Sequence, residues 1–312
     1  NPLSFQLPLA DPAPWLNRFD PLARALFRPW VFWAWLAGVL LATVVAAGEW
    51  PALQSHARQH LFSVGGLALA WLLYPLMKAL HEAGHALAVR RWGGEVHEVG
   101  IGLLFLVPAP YVDASAASAF PRRRQRALVG AAGIMAELAL AALGLGLWLA
   151  TQPGWVHDAA FMLMLIGVTS TLLFNGNPLL RFDAYYILAD YLEMPNLGQR
   201  AGAYLGYLVN RHLFRVEQAQ SPAQTGTEAA WLAIYAMASF LYRVLVTVGI
   251  VFLVASKYFF VGVLLALWVV ANMIVVPLMR RVAFLFGPRL GVHRERALAV
   301  TGGIIATALI II

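Results

Sequence analysis

The chain has 312 residues, 61% of them hydrophobic and only 12% charged, with 22 Lys and Arg against 15 Asp and Glu. A soluble domain carries about twice that charged fraction, and a mean hydropathy of +0.71 leaves too little polar surface to cover a globule of this size, which argues against a soluble enzyme or a nucleic-acid-binding domain. Cysteine is absent, so disulfides, thiol catalysis and cysteine-based zinc or iron–sulfur sites are excluded, and any metal would rest on His and carboxylates.

In chain order, residues 1–28 are polar and punctuated by proline, without an initiator Met or a signal-peptide pattern. They read as a cytosolic segment of a chain that starts within a longer protein. Residues 29–48 form the first uncharged run long enough to cross about 30 Å of hydrocarbon. A longer helical stretch covers 61–92 and is stopped by Gly93 and Gly94. Residues 94–120, rich in Gly, Pro and β-branched types, predict short strands. Further spans are expected at 128–150, 159–174, 231–256 and 258–279, and a truncated seventh at 297–312. The fold class is therefore an all-α polytopic membrane protein with six complete spans, an unfinished seventh and a β-hairpin-like insertion after span two. Its expected divisions are a membrane core at 29–189, a cytosolic connector at 190–228 and C-terminal spans at 229–312.

The basic residues sort by side. Three precede span one, six lie at the end of span two or between it and span three, four between spans four and five and five between spans six and seven, whereas the opposite loops hold only Arg58 and Lys257. The positive-inside rule then puts the N-terminus in the cytoplasm, and the basic excess needs no nucleic-acid partner.

At the end of span two stands His81-Glu82-Ala83-Gly84-His85. Four residues of α-helix turn the chain by about 400°, so both imidazoles leave one face about 6 Å apart, as two ligands of one zinc require. Glu82 is placed to take a proton from a water at the open position of such a metal. The pattern would arise by chance in roughly 0.6% of chains with this composition, and ionisable residues in a lipid-facing helix usually mark function. Arg91 occupies the position at which a metzincin carries its third His, which excludes that class. Asp183 is the stronger candidate for the third ligand, because Gly176 and Pro178 break a short fourth span before it. The same position suits an interfacial cap of the next helix, and the residues alone leave the two readings open.

The His81–His85 motif, the late Asn177-Pro178 and the Phe182-Asp183-Ala184 segment together resemble the site-2 protease family of intramembrane zinc metalloproteases. The resemblance covers most of the chain. It implies zinc held by His81, His85 and Asp183, with Glu82 activating water. Tyr111-Val112-Asp113, the basic run 122–126 and residues 133–137 further resemble a bacterial branch of peptide zinc metalloproteases, implying an inner-membrane location and a secretion or adaptor partner. Ala184 departs from the family's usual Gly.

Other residues receive paired expectations. The segment 95–113, with Tyr111 and Asp113 at its end, is expected to hold substrate by strand addition, since a helix must unwind before its carbonyls can react. Asn175 and Asn177 either hydrogen-bond that substrate or cap the broken span. Lys78 shares a helical face with His85 and either supports an oxyanion or pairs with a carboxylate. Glu137 and Arg243 are expected to pair with each other. The favoured function is a zinc endopeptidase acting on membrane proteins or hydrophobic peptides. The alternative is a non-proteolytic metal-binding component of a peptide-export system. A plain transporter is disfavoured, because only one span is broken and no repeat is present.

Overall fold

A computed structural model describes residues 4–104, 107–213, 218–276 and 279. The chain divides into two compact units, 1–194 and 195–312.

The first unit opens with strand β1 (Ser4–Ala10) and the short helices α1 (Ala13–Leu16) and α2 (Asp20–Leu26). Helix α3 (Pro29–Gly48) starts at a proline, whose missing N–H costs nothing in a first turn. A short amphipathic helix, α4 (Trp50–His60), then lies where the sequence suggested a loop. Helix α5 (Val64–Arg91) begins at Ser63, whose Oγ accepts the Gly66 N–H at 3.0 Å. Strands β2 (Val99–Leu104) and β3 (Val107–Val112) follow, then α6 (Arg123–Ala150) and α7 (Trp155–Thr169). A wider π-helical turn, Ser170–Asn175, continues α7. The chain breaks at Gly176, as the sequence predicts, and resumes in α8 (Asp183–Tyr191). The second unit holds α9 (Leu197–Leu208), the long α10 (Gly226–Lys257) and α11 (Phe259–Val270).

Among the described residues, five helices are long and apolar enough to cross a membrane: α3, α5, α6, α7 with its π-turn, and α10. Helix α11 is shorter. The expected seventh span at 297–312 lies outside the described residues.

The expected hairpin is the larger part of a three-stranded antiparallel sheet, ordered β1-β2-β3. Leu7 faces Ile101, and Gly100 faces Tyr111. Strand β1 lies in the segment read as polar and punctuated by proline, where Phe5, Leu7 and Leu9 alternate with period two. A Cβ at Gly100 would lie 2.3 Å from the Leu7 carbonyl oxygen and 2.6 Å from the Tyr111 ring, so the central strand needs glycine there.

Helices α5, α6 and α7 form the heart of this unit, and small residues let their backbones approach. A Cβ at Gly84 would stand 2.8 Å from the Ala132 carbonyl oxygen, and one at Gly167 would stand 2.8 Å from that of Glu137. One apolar cluster, including Ala88, Val89 and Ala132, packs at the Arg91 end of α5. Another, including Leu53, Trp148 and Phe161, packs α4 against α6 and α7. Trp35 ties α3 to α6 by donating to the Met135 carbonyl at 2.9 Å, and Arg90 grips Asp20 of α2 through two hydrogen bonds of 2.9 and 3.0 Å.

Candidate metal centre

His81 and His85 project one turn apart from α5 and are almost fully buried, at 4% and 7% exposure. Their Nε2 atoms lie 3.1 Å apart. Asp183, the first residue of α8, completes the group: its Oδ2 is 3.1 Å from His81 Nε2 and its Oδ1 is 3.4 Å from His85 Nε2. Tetrahedral ligands bound about 2.05 Å from one ion stand about 3.3 Å from each other. The two Nε2 atoms are near that spacing, and the Asp183 carboxylate meets each of them at it through a different oxygen.

The protons point the same way. His85 Nδ1 lies 2.7 Å from the Val129 carbonyl, which can only accept, so Nδ1 carries a hydrogen and, in the neutral ring a metal requires, the lone pair belongs to Nε2. His81 Nδ1 stands 3.0 Å from Glu137 Oε1 as an ion-pair contact without a hydrogen bond, and its Nε2 is the atom turned toward Asp183. Two imidazole lone pairs and a carboxylate thus converge, and Asp183 Oδ2 is buried without a hydrogen bond. Convergent acceptors repel one another unless a cation joins them, so the donor set fits a divalent metal.

Glu137 is the residue the sequence reading misplaced. Its expected partner was Arg243; instead its carboxylate, wholly buried, is held inside the first unit. Lys78 Nζ donates to it at 2.7 Å, Ser170 at 3.0 Å, Thr171 at 2.9 Å and Asn175 Nδ2 at 2.8 Å. Arg243, on α10, donates to the Ser239 carbonyl at 3.1 Å. Lys78 therefore takes the pairing role, its charge neutralised beneath the metal ligands. A carboxylate behind a ligating His fixes the ring and raises its basicity. Asn175, expected to bind substrate or cap the span, is buried with its amide in this network, because the π-turn directs Ser170, Thr171 and Asn175 onto one carboxylate. Asn177 accepts the Leu179 N–H at 2.9 Å, closing a turn inside the broken segment and capping neither the π-turn nor α8.

Glu82 lies beside His81, and its Oε2 accepts the Val112 N–H at 3.1 Å. That bond shows how β3 is oriented. Val112 N–H points away from β2, while the next N–H, of Asp113, bonds back to the Glu98 carbonyl at 3.0 Å. Residues 108, 110 and 112 consequently turn their main-chain groups to the free edge. Pro108 and Pro110 have no N–H, so this edge offers carbonyls alone once Glu82 has taken the Val112 donor. Tyr111 and Asp113 are engaged within the insertion itself: Tyr111 donates to Glu98 at 2.7 Å, which pushes its hydroxyl pKa up, and Asp113 Oδ1 accepts the Ser115 N–H at 2.9 Å.

Gly133 was noted only as part of a family-like segment, yet it forms the wall of the centre. A Cβ there would lie 2.5 Å from His81 Nε2 and 2.6 Å from His85 Nε2. Gly133→Ala should add helix propensity of about 1 kcal/mol while driving the ligands apart. We expect an unchanged or raised Tm in the chelated protein together with a metal affinity at least about 10-fold weaker, checked by melting and by competition with a chromogenic chelator.

A model of peptidase family M50 matches residues 69–280, more than half the chain and inclusive of His81, Glu82, His85 and Asp183. The chain belongs to peptidase family M50, the site-2 protease family. No curated protein and no solved structure matches it. Membership of M50 makes this a multi-pass membrane metalloprotease of a zinc-dependent family. In this M50 peptidase the candidate ligands come from α5 and α8, and α6 supplies the support behind them.

Proposed function

We propose that this protein is a zinc endopeptidase that cleaves membrane proteins or hydrophobic peptides near the cytoplasmic face, with His81, His85 and Asp183 as ligands and Glu82 as general base. The observation that carries the proposal is the convergence of the two buried Nε2 atoms, 3.1 Å apart, and the Asp183 carboxylate, whose two oxygens lie 3.1 and 3.4 Å from them, beside Glu82. When bound, zinc supplies Lewis acidity, polarising a peptide carbonyl and lowering the pKa of water toward neutrality. Glu82 takes the proton of the attacking water and hands it to the departing amine. The Val112 N–H holds Oε2 and leaves Oε1 to do so. Glu137 and the Val129 carbonyl keep the two imidazoles oriented.

The substrate, unwound at its scissile bond, lies along the free edge of β3 and donates its own N–H groups to the Pro108, Pro110 and Val112 carbonyls. The distribution of Arg and Lys supports a cytoplasmic N-terminus. The likeness of residues 111–113, 122–126 and 133–137 to bacterial peptide zinc metalloproteases supports a bacterial inner membrane.

Asp183→Ala tests the assignment. Elemental analysis should show one zinc fewer per chain than in the wild type, with loss of cleavage of a membrane-anchored substrate. Retention of all bound zinc by a folded Asp183→Ala protein would overturn the ligand set.

A further inference from the structure

A second group of metal-ligand side chains lies at the other end of α5. His56 and His60 stand one turn apart on α4, and Asp158 lies in the first turn of α7. His56 Nε2 is 3.2 Å from Asp158 Oδ1. The three residues offer ligand atoms that all lie within 4.8 Å of one another. Val64 starts α5 four residues after His60, and the rise from there to His81 is about 25 Å, so the group is separate from the peptidase centre.

Its chemistry resembles that of the first centre in two respects. His60 Nδ1 lies 3.2 Å from the His56 carbonyl, an acceptor, which leaves its Nε2 lone pair outward. His56 Nε2 is buried and makes no hydrogen bond, although the Asp158 carboxylate is beside it. Asp183 Oδ2 is left in the same condition next to His81. The rings of His56 and His60 stack at 4.2 Å and 17°. Phe161, with its ring 4.5 Å from that of His56, and Trp148 supply an apolar wall. Such a wall limits water and strengthens a metal–ligand bond.

We propose that His56, His60 and Asp158 form a second metal site, for a first-row divalent cation of the zinc or copper(II) class, clasping α4 to α7. The ligand set of two imidazoles and one carboxylate suits those ions better than magnesium or calcium, which take oxygen ligands. His56 and Asp158 already have bonding separation. His60, half-buried at the last turn of α4, completes the set by swinging its ring off the stack. The site takes no part in peptide hydrolysis.

Zinc is the probe. The full chain in detergent is stripped with chelator, equilibrated with low-micromolar zinc, passed through a desalting column and analysed for metal. The wild type should retain two zinc ions per chain, His60→Ala one, Asp183→Ala one, and the double variant none. Zinc should also raise the Tm of Asp183→Ala and fail to raise that of the double variant. His60→Ala should keep cleaving substrate, which shows that it folds. Equal zinc in wild type and His60→Ala, or a second ion that desalting removes, overturns the second site. Loss of one ion in His60→Ala with none lost in Asp183→Ala would uphold this site and sink the peptidase ligand set instead.

Discussion

Glu82→Gln should lower the rate of peptide hydrolysis by about 10²–10⁴-fold, the range for removing a general base, while zinc content and Tm stay at their wild-type values. The substitution keeps the shape of the side chain, and a Gln Oε1 can still accept the Val112 N–H that Glu82 holds at 3.1 Å. The strand β3 should therefore remain docked on α5. What disappears is the capacity to carry a proton. Parallel assays of substrate cleavage and bound metal check this. Loss of zinc in the variant would make Glu82 a structural residue and remove the general base from the mechanism. Glu82→Ala should do more harm, because it also abandons the Val112 donor.

Glu137→Gln is expected to have the second large effect, and on two quantities at once. Lys78 Nζ, only 13% exposed, loses its counter-charge at 2.7 Å, and breaking a buried pair from one side costs about 3–5 kcal/mol. The acceptor 3.0 Å from His81 changes from a carboxylate to a neutral amide oxygen, which lowers the basicity of the ring, and loss of such support costs a metal site about 10–100-fold in affinity. The two losses can be separated by adding Lys78→Met. The double variant should regain most of the Tm, since no unpaired charge remains, but not the zinc affinity. Recovery of both would mean that Glu137 serves only to neutralise Lys78. Exchanging the charges of Glu137 and Arg243, attractive from sequence alone, should rescue nothing.

The parts of the centre that were legible in the sequence are those with local periodicity. His81 and His85 share a face because an α-helix returns every four residues, and Glu82 follows from its place between them. Asp183 was visible through the family-like segment 182–184 and through the break at Gly176 and Pro178, which the structure places between the π-turn and α8. Lys78 could be assigned to the same face as His85, yet its partner could not, because Glu137 lies on another helix and is chosen by packing rather than by spacing. The same holds for Gly133: nothing in an isolated helix says that a missing Cβ leaves room for two imidazoles on its neighbour. The hairpin was readable from its Gly, Pro and β-branched content, whereas β1 was hidden among prolines and its pairing joins segments far apart in the chain.

The absence of cysteine gives the proposed Asp183 ligand a further consequence. His85 and Asp183 are separated by roughly a hundred residues, and a permanent cross-link closing a loop of that length removes chain entropy worth about 4.7 kcal/mol from the unfolded state. An ion shared by α5 and α8 would act as such a link for as long as it stays bound. Chelation would then lengthen the largest loop in the first unit, and the first amides to exchange with solvent should be those after Gly176, ahead of any in α5 or α6. The chemistry and the tether of the broken span would be one and the same bond.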